Sequence, residues 1–419
     1  MNYKFLTILF ITAFTSGICL AQTNPAAAVE DFKPTVTTQQ GKQFPQVNSE
    51  RRVRTSISAP QALKVQLDIG GKKYDLTKDA NGVWTGESAP QDEGFHYYQL
   101  NIDGASVPDP GSLYFYGASR WGSGVDVPAK DQDFYAIKNV PHGELRENQY
   151  FSKTTNSVRR VYIYTPPGYK DNGKRYPVLY LQHGMGENET GWGNQGHANM
   201  IMDNLIAEGK ANPFIIVMEN SSVNLGNRGP RPAAGTPGLT APAQTAPGQT
   251  APVQTAPGQT APTGNANAPR NGAGGPMGGM NVVGQFGKIL IDDLIPYIEA
   301  NYRVYNDQSH RAMAGLSMGG MQTKAIVIAN PNLFSYIGMF SSGTISPTEI
   351  TNMDSFKKNA KVVFMSFGGR EAGSSKIQGA ADEWNNAGIK GVSYVSPETA
   401  HEWQSWRRSL HEFAVLIFK

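Results

Sequence analysis

The stretch Ala312-Met313-Ala314-Gly315-Leu316-Ser317-Met318-Gly319-Gly320-Met321 decides the fold. As far as Leu316 it is a short apolar run of the kind that ends a buried strand. From Met318 to Ala329 (MGGMQTKAIVIA) it reads as a helix. Between the two stands Gly315-Leu316-Ser317-Met318-Gly319, a serine flanked by glycines. A serine on so sharp a strand-to-helix turn needs small neighbours, and the turn pushes its hydroxyl into the open. This is the pattern of a nucleophile elbow. In a chain with 46 glycines the five residues alone are a weak signal, and their strand–helix context gives them weight.

Outward from the elbow, strand-like and helix-like patterns alternate. Strands are expected at Arg159–Tyr164, Pro177–Gln182, Phe214–Met218, Arg311–Leu316, Ser335–Phe340, Lys361–Ser366 and Val392–Val395. Helices are expected at 197–209, 284–302, 318–330, 375–387 and 402–416. Such alternation implies a mostly parallel sheet covered on both faces, an α/β domain spanning residues 150–419.

A serine hydroxyl needs a base, and the base needs an orienting carboxylate. Around an elbow the chain order is serine, acid, histidine. His401 follows the strand Gly391–Val395 and a short loop, then opens the last helix; His411, the other downstream candidate, falls within that helix. Glu371 is the carboxylate in the loop after the strand Lys361–Ser366, with Asp382 and Glu383 as runners-up inside a helical stretch. The oxyanion needs two preorganised backbone donors. One is the Met318 N–H; the other is the Met185 N–H, because Val178–Gln182 runs into the turn His183-Gly184-Met185-Gly186. His183 is then structural. No metal site or cofactor is expected: the seven histidines are scattered, no His-Glu-x-x-His occurs and no phosphate-cradling glycine loop follows a strand.

Before this domain the texture changes. Arg52–Ile57, Leu63–Ile69, Val83–Thr85 and Phe95–Ile102 read as short strands separated by Gly70-Gly71, Asn81-Gly82 and Asp103-Gly104, with no helical period between them. Residues 43–130 are therefore expected to be a small all-β sandwich, flanked by linkers at 22–42 and 131–149. Residues 1–21 read as a signal peptide: Lys4, an apolar run from Phe5 to about Leu20, and small residues for cleavage after Ala21. A membrane anchor is the alternative, and a lipoprotein reading through Cys19 is opposed by Ile18. Cleavage would remove Cys19, the one cysteine, leaving no disulfide and no thiol nucleophile in a secreted or periplasmic protein. With 37 basic and 34 acidic residues among 419 and no basic run, nucleic acid is an unlikely partner, and no stable membrane insertion is expected after cleavage.

One segment fits neither domain. From about 224 to 281 there is no aromatic or acidic residue, and Thr-Ala-Pro recurs from Thr240, Thr245, Thr250, Thr255 and Thr260. A five-residue period suits neither helix nor strand and offers little to bury, so an extended disordered insert is expected.

These residues together resemble a known family. His183-Gly184-Met185-Gly186 with Trp192, Gly315 to Gly320, and His401-Glu402-Trp403-Gln404-Ser405-Trp406-Arg407 resemble the esterases that include enterochelin esterases. More closely they resemble carbohydrate esterase family 1, the feruloyl and acetylxylan esterases; Arg303-Val304 and Arg311-Ala312 fit as well. The N-terminal part, through Ala59-Pro60-Gln61-Ala62, Gly82-Val83-Trp84-Thr85 and Asp109-Pro110, is similar to family 48 carbohydrate-binding modules. The resemblance implies an α/β-hydrolase preceded by an early-set immunoglobulin-like sandwich, a Ser-His-acid mechanism and hemicellulose esters as substrates. Glu371 departs from the family's usual Asp, and the insert follows Asn220 near the expected rim of the site.

Trp192, Trp403 and Trp406 lie beside the catalytic motifs, and Trp192 and Trp403 are the candidates for contact with a ferulate ring or a sugar. In the first domain Trp84, Tyr97 and Tyr116 could form a sugar platform, though core packing is the plainer role. The expected function is a secreted serine esterase deacylating a plant polysaccharide, a feruloyl esterase acting on feruloylated xylan or its oligosaccharides, with an acetylxylan esterase as the alternative. An acyltransferase and a non-catalytic glycan-binding protein are the other classes.

Overall fold

The computed structural model describes residues 29–222 and 285–419. The expected signal peptide and the whole Thr-Ala-Pro segment at 224–281 lie outside the described residues.

The second half of the chain builds one 8-stranded sheet. Its spatial order is Glu144–Ser152, Ser157–Thr165, Ile215–Glu219, Val178–Gln182, Arg311–Leu316, Tyr336–Phe340, Val362–Gly368 and Lys390–Ser396. The first two strands join antiparallel, and every pairing from Val178–Gln182 onward to Lys390–Ser396 is parallel. Side chains alternate across a strand, and the core divides accordingly. Val178, Tyr180, Ile215, Val217 and Met313 face a cluster with the helix over 285–301, Met318–Ala329 and Ile377–Asn386. Leu179, Leu181, Ile216, Met218 and Ala312 face another with Ala198–Ala207 and Trp403–Ala414. Strands buried on both faces read as continuous apolar runs, which is how this sheet reads in the sequence. A covered, mostly parallel sheet of this kind is the α/β-hydrolase architecture.

The first half forms two antiparallel sheets. One holds Lys33–Pro34, Gln46–Val47, Val53–Ser58, Val83–Glu87 and Thr77–Lys78. The other holds Tyr114–Gly117, Arg120–Val127, Gly94–Ile102, Val65–Ile69 and Lys72–Asp75, with Ala105–Val107 beside Gly94–Ile102. Val53, Val65, Leu67, Trp84, Tyr98 and Val125 are among the side chains packed between them.

Both expected linkers need correction. Lys33 and Pro34 pair with Val47 and Gln46, so the first strand of the sandwich lies within 22–42. Of 131–149, Glu144 onward is the first strand of the large sheet, pairing along its length with Ser157–Thr165. The strand Glu144–Ser152 is mostly polar, with two of its nine residues buried and the rest exposed or half-buried, so it carries no apolar signal.

Candidate active site

The strand Arg311–Leu316, central in the sheet, delivers the serine at its C-terminal end. Ser317 has φ 50° and ψ −115°, a left-handed conformation rare for a residue with a side chain. Its backbone N–H donates to Phe340 O at 2.8 Å, tying it to the next strand. Tight packing sets the glycines: a Cβ on Gly315 would lie 2.4 Å from the Gly319 carbonyl carbon, and one on Gly319 would lie 2.7 Å from Gln182 Cβ.

His401 stands in the turn before Trp403–Ala414, with Nε2 2.9 Å from Ser317 Oγ. Its Nδ1 lies 2.8 Å from Glu371 Oε2. Paired with a carboxylate, Nδ1 carries the proton, which leaves the Nε2 lone pair for the serine hydroxyl. Glu371, in the loop after Val362–Gly368, accepts at Oε1 from the Ser341 hydroxyl (2.6 Å) and the Gly368 N–H (2.8 Å). Partial burial pushes its carboxyl pKa up, but His401, Ser341 and Gly368 outweigh that and hold it below the usual value. The Trp406 indole N–H donates to Ser341 Oγ at 3.1 Å, and the Trp406 ring meets the imidazole edge-on at 5.1 Å.

The loop after Val178–Gln182 abuts the serine. A Cβ on Gly184 would lie 3.5 Å from Ser317 Cβ. Neither Met185 N–H nor Met318 N–H donates to an acceptor among the described residues, which leaves both for a ligand. Two buried titratable groups hold this loop. His183 lies against Gly184 O through Nδ1 (2.7 Å) and accepts at Nε2 from the Ser221 N–H (3.0 Å). That pattern requires neutral imidazole, and burial lowers its pKa to about 4. Glu187 accepts from the Gly184 N–H at 3.1 Å and from the Tyr97 hydroxyl at 3.4 Å, and burial raises its pKa to about 7.

Ser317, His401 and Glu371 are thus brought into one hydrogen-bonded line, with Met185 and Met318 beside it. Asp382 and Glu383 are not near it: they bond Gln378 and Ser346. His411 pairs with its neighbour Glu412. The two tryptophans expected to contact substrate need correction. Trp192 is 1% and Trp403 2% exposed, packed edge-to-face at 5.4 Å, so they offer a ligand almost no surface. The Trp192 indole N–H donates to Gln182 O, and its role is to back the loop rather than to line a pocket. Trp84 is likewise buried and bonded to Ala59 O, whereas Tyr114 and Trp121 are the exposed rings of the sandwich. Ser341 and the buried carboxyl of Glu187 are functional groups beyond those the sequence motifs mark. A small polar residue directly after Tyr336–Phe340, at the same C-terminal end of the sheet as the serine, is an available signal for Ser341. Glu187 lies in the polar run Gly186-Glu187-Asn188-Glu189-Thr190, which reads as an exposed loop.

Among the described residues no group of three or more His, Cys, Asp or Glu could hold a metal ion, and no helix is long and apolar enough to cross a membrane.

A covered, mostly parallel sheet with a serine elbow and an aligned histidine and carboxylate is the arrangement of a class, the α/β hydrolases. The Esterase family model matches residues 152–237 and 260–414, and the chain belongs to that family of carboxylic ester hydrolases. It is 41% identical over 399 residues to an endo-1,4-beta-xylanase/feruloyl esterase of Xylanibacter ruminicola, covering 93% of this chain and 48% of the relative. The chain therefore spans about half the length of that curated relative. Among solved structures, an enterobactin esterase from Shigella flexneri superposes with a TM-score of 0.55 at 13% identity, over 87% of this chain and 92% of that one. This likeness bears on the fold alone. A ferulic acid esterase from Anaeromyces mucronatus in complex with ferulic acid matches at a TM-score of 0.49 and 21% identity, over 69% of this chain and 96% of that one.

Proposed function

We propose that this chain is a secreted serine esterase that removes feruloyl groups from xylan or its oligosaccharides. The observation that carries the reading is the hydrogen-bonded line from Glu371 through His401 to Ser317. The name of the relative from Xylanibacter ruminicola supports the feruloyl substrate over acetyl.

Ser317 Oγ attacks the ester carbonyl carbon while His401 Nε2 takes its proton. Glu371 holds Nδ1–H and stabilises the imidazolium that forms. The carbonyl oxygen, now carrying the charge, receives the Met185 and Met318 N–H groups. When the tetrahedral intermediate collapses, the C–O bond to the sugar breaks and His401 gives the proton to the leaving alkoxide. Water then repeats the sequence on the acyl-enzyme, its proton passing to His401 and back to Ser317 as ferulate departs. The N-terminal sandwich, read as an early-set immunoglobulin-like module, would hold the glycan chain through exposed rings such as Tyr114 and Trp121.

Hydrolysis of methyl ferulate and of 4-nitrophenyl acetate by the wild type and by Ser317→Ala tests the reading. Serine-dependent release of ferulate is expected. Acetate release alone would make the protein a deacetylase, and equal rates in both proteins would remove Ser317 as the nucleophile. No activity on either ester would favour a glycan-binding role.

A further inference from the structure

The loop that carries Met185 is held in place from outside its own domain. Tyr97 belongs to the strand Gly94–Ile102 of the N-terminal sandwich, yet its half-buried phenol packs against the core of the hydrolase half. The hydroxyl donates to Glu187 Oε1 at 3.4 Å and accepts from Gln195 Nε2 at 2.8 Å and the Trp403 indole N–H at 3.4 Å. The other oxygen of Glu187 accepts the Gly184 N–H. A second strut comes from the tip of the hairpin formed by Tyr114–Gly117 and Arg120–Val127: the Ser119 N–H donates to Gly186 O at 2.8 Å. Ala118 and Ser119 both have positive φ (50° and 63°), so the tip takes a tight turn and presents that N–H. The two struts grip the residues immediately before and after Met185.

We propose that the N-terminal sandwich completes the oxyanion hole, with Tyr97 and Glu187 as positioning residues that fix the Met185 N–H through Gly184. The inference rests on the esterase reading above, and it gives the sandwich a part in the chemical step, separate from any grip on a glycan. Gly117 fits this role. A Cβ there would fall 2.1 Å from the Tyr97 ring, so the hairpin closes directly onto the phenol that reaches the loop. Gln195 serves both partners, donating to Tyr97 Oη and to Tyr116 O, each at 2.8 Å. An oxyanion donor acts only where the transition-state charge forms, so loosening it lowers kcat rather than substrate binding.

The test uses the full chain with Tyr97→Phe, which keeps the ring and removes the hydroxyl, and Glu187→Gln, which keeps the shape and an acceptor for Gly184. Turnover is measured on 4-nitrophenyl acetate, a substrate with no sugar to engage the sandwich. Losing one support of an oxyanion donor is expected to lower kcat about tenfold, with KM within about twofold of wild type. Glu187→Gln is expected to retain more activity than Glu187→Ala. Amide hydrogen exchange over 183–190 is read on the same proteins and is expected to quicken about tenfold in Tyr97→Phe. Wild-type kcat in Tyr97→Phe, or a loss confined to KM, overturns the proposal. If the wild type hydrolyses no ester, the esterase reading has failed, and the exchange rates still decide whether the brace exists: unchanged exchange in both variants sinks it.

Discussion

Glu371 is the residue on which the arrangement of the site turns, because each of its oxygens has a separate task. Oε2 orients His401, while Oε1 is pinned by Ser341 and the Gly368 N–H. In Glu371→Gln the amide presents either a neutral acceptor or a donor to Nδ1, and the histidine loses the charge that stabilises its protonated form. On the precedent of such changes in serine hydrolases, kcat is expected to fall about 10³- to 10⁴-fold with KM little changed. Steady-state kinetics on a soluble ester would expose a wild-type rate, which would move the acid elsewhere. The same variant has a stability signature. The folded-state pKa of Glu371 lies below its ordinary 4.5, so its ionised form stabilises the fold above that value. This contribution disappears as pH falls through the folded pKa. The stability gap between wild type and Glu371→Gln should therefore be wider at pH 7 than at about pH 3, as urea melts would show. A gap that widened on acidification would contradict the assignment.

At the scale of elements, the elbow is where backbone and chemistry are hardest to separate. The turn between Arg311–Leu316 and Met318–Ala329 packs so closely that the three atoms nearest a Cβ on Gly315 all belong to the Gly319 backbone, the closest at 2.4 Å. Gly315→Ala should therefore cost several kcal/mol, since a methyl group there needs the helix to move away from its strand. Loss of soluble protein, or a melting midpoint more than about 8 °C lower, is the expected result, and an unperturbed melt would show that the helix can shift freely. This element was legible because its constraints are local: an apolar strand end, a glycine pair and a helix-forming run are all written within a few residues. His401 and Glu371 were legible for a related reason, since each follows a recognisable strand in the order the fold demands. The strand Glu144–Ser152 was not, because an edge strand with solvent on much of its surface lacks the period that betrays a half-buried one. Trp192 and Trp403 misled because proximity along the chain says nothing of which way a ring points; both rings turn inward against each other. Glu187 was hidden for the converse reason: a carboxyl among polar neighbours becomes a buried one only through contacts supplied by a strand about 90 residues earlier.

Across the whole molecule, the two halves are joined by an ion pair that neither would bury alone. Asp126, at the end of Arg120–Val127, receives Arg407 of the last helix in a two-pronged bond, at 3.1 and 2.7 Å. Arg407 is fully buried, lies over the Tyr135 ring and also donates through Nε to Gln195 O. Burial by itself would raise the Asp126 pKa, but the Arg407 guanidinium, with His197 at 3.4 Å from Oδ2, outweighs it and holds the carboxyl well below the usual range. Removing one partner strands the other charge in a buried interface, whereas removing both leaves a packing change and the lost contacts to Gln195 O and His197. Asp126→Asn is therefore expected to lower the unfolding free energy by about 3–5 kcal/mol. The double variant Asp126→Leu with Arg407→Met should cost less than that single change. Because Gln195 also contacts Tyr97, loosening this joint should reach the Met185 loop as well, and Asp126→Asn is expected to lose turnover at temperatures where it remains folded. Urea melts of the three proteins, with turnover recorded below each transition, check both statements. A double variant less stable than Asp126→Asn would mean that the pair itself, rather than the avoidance of a lone charge, holds the halves together.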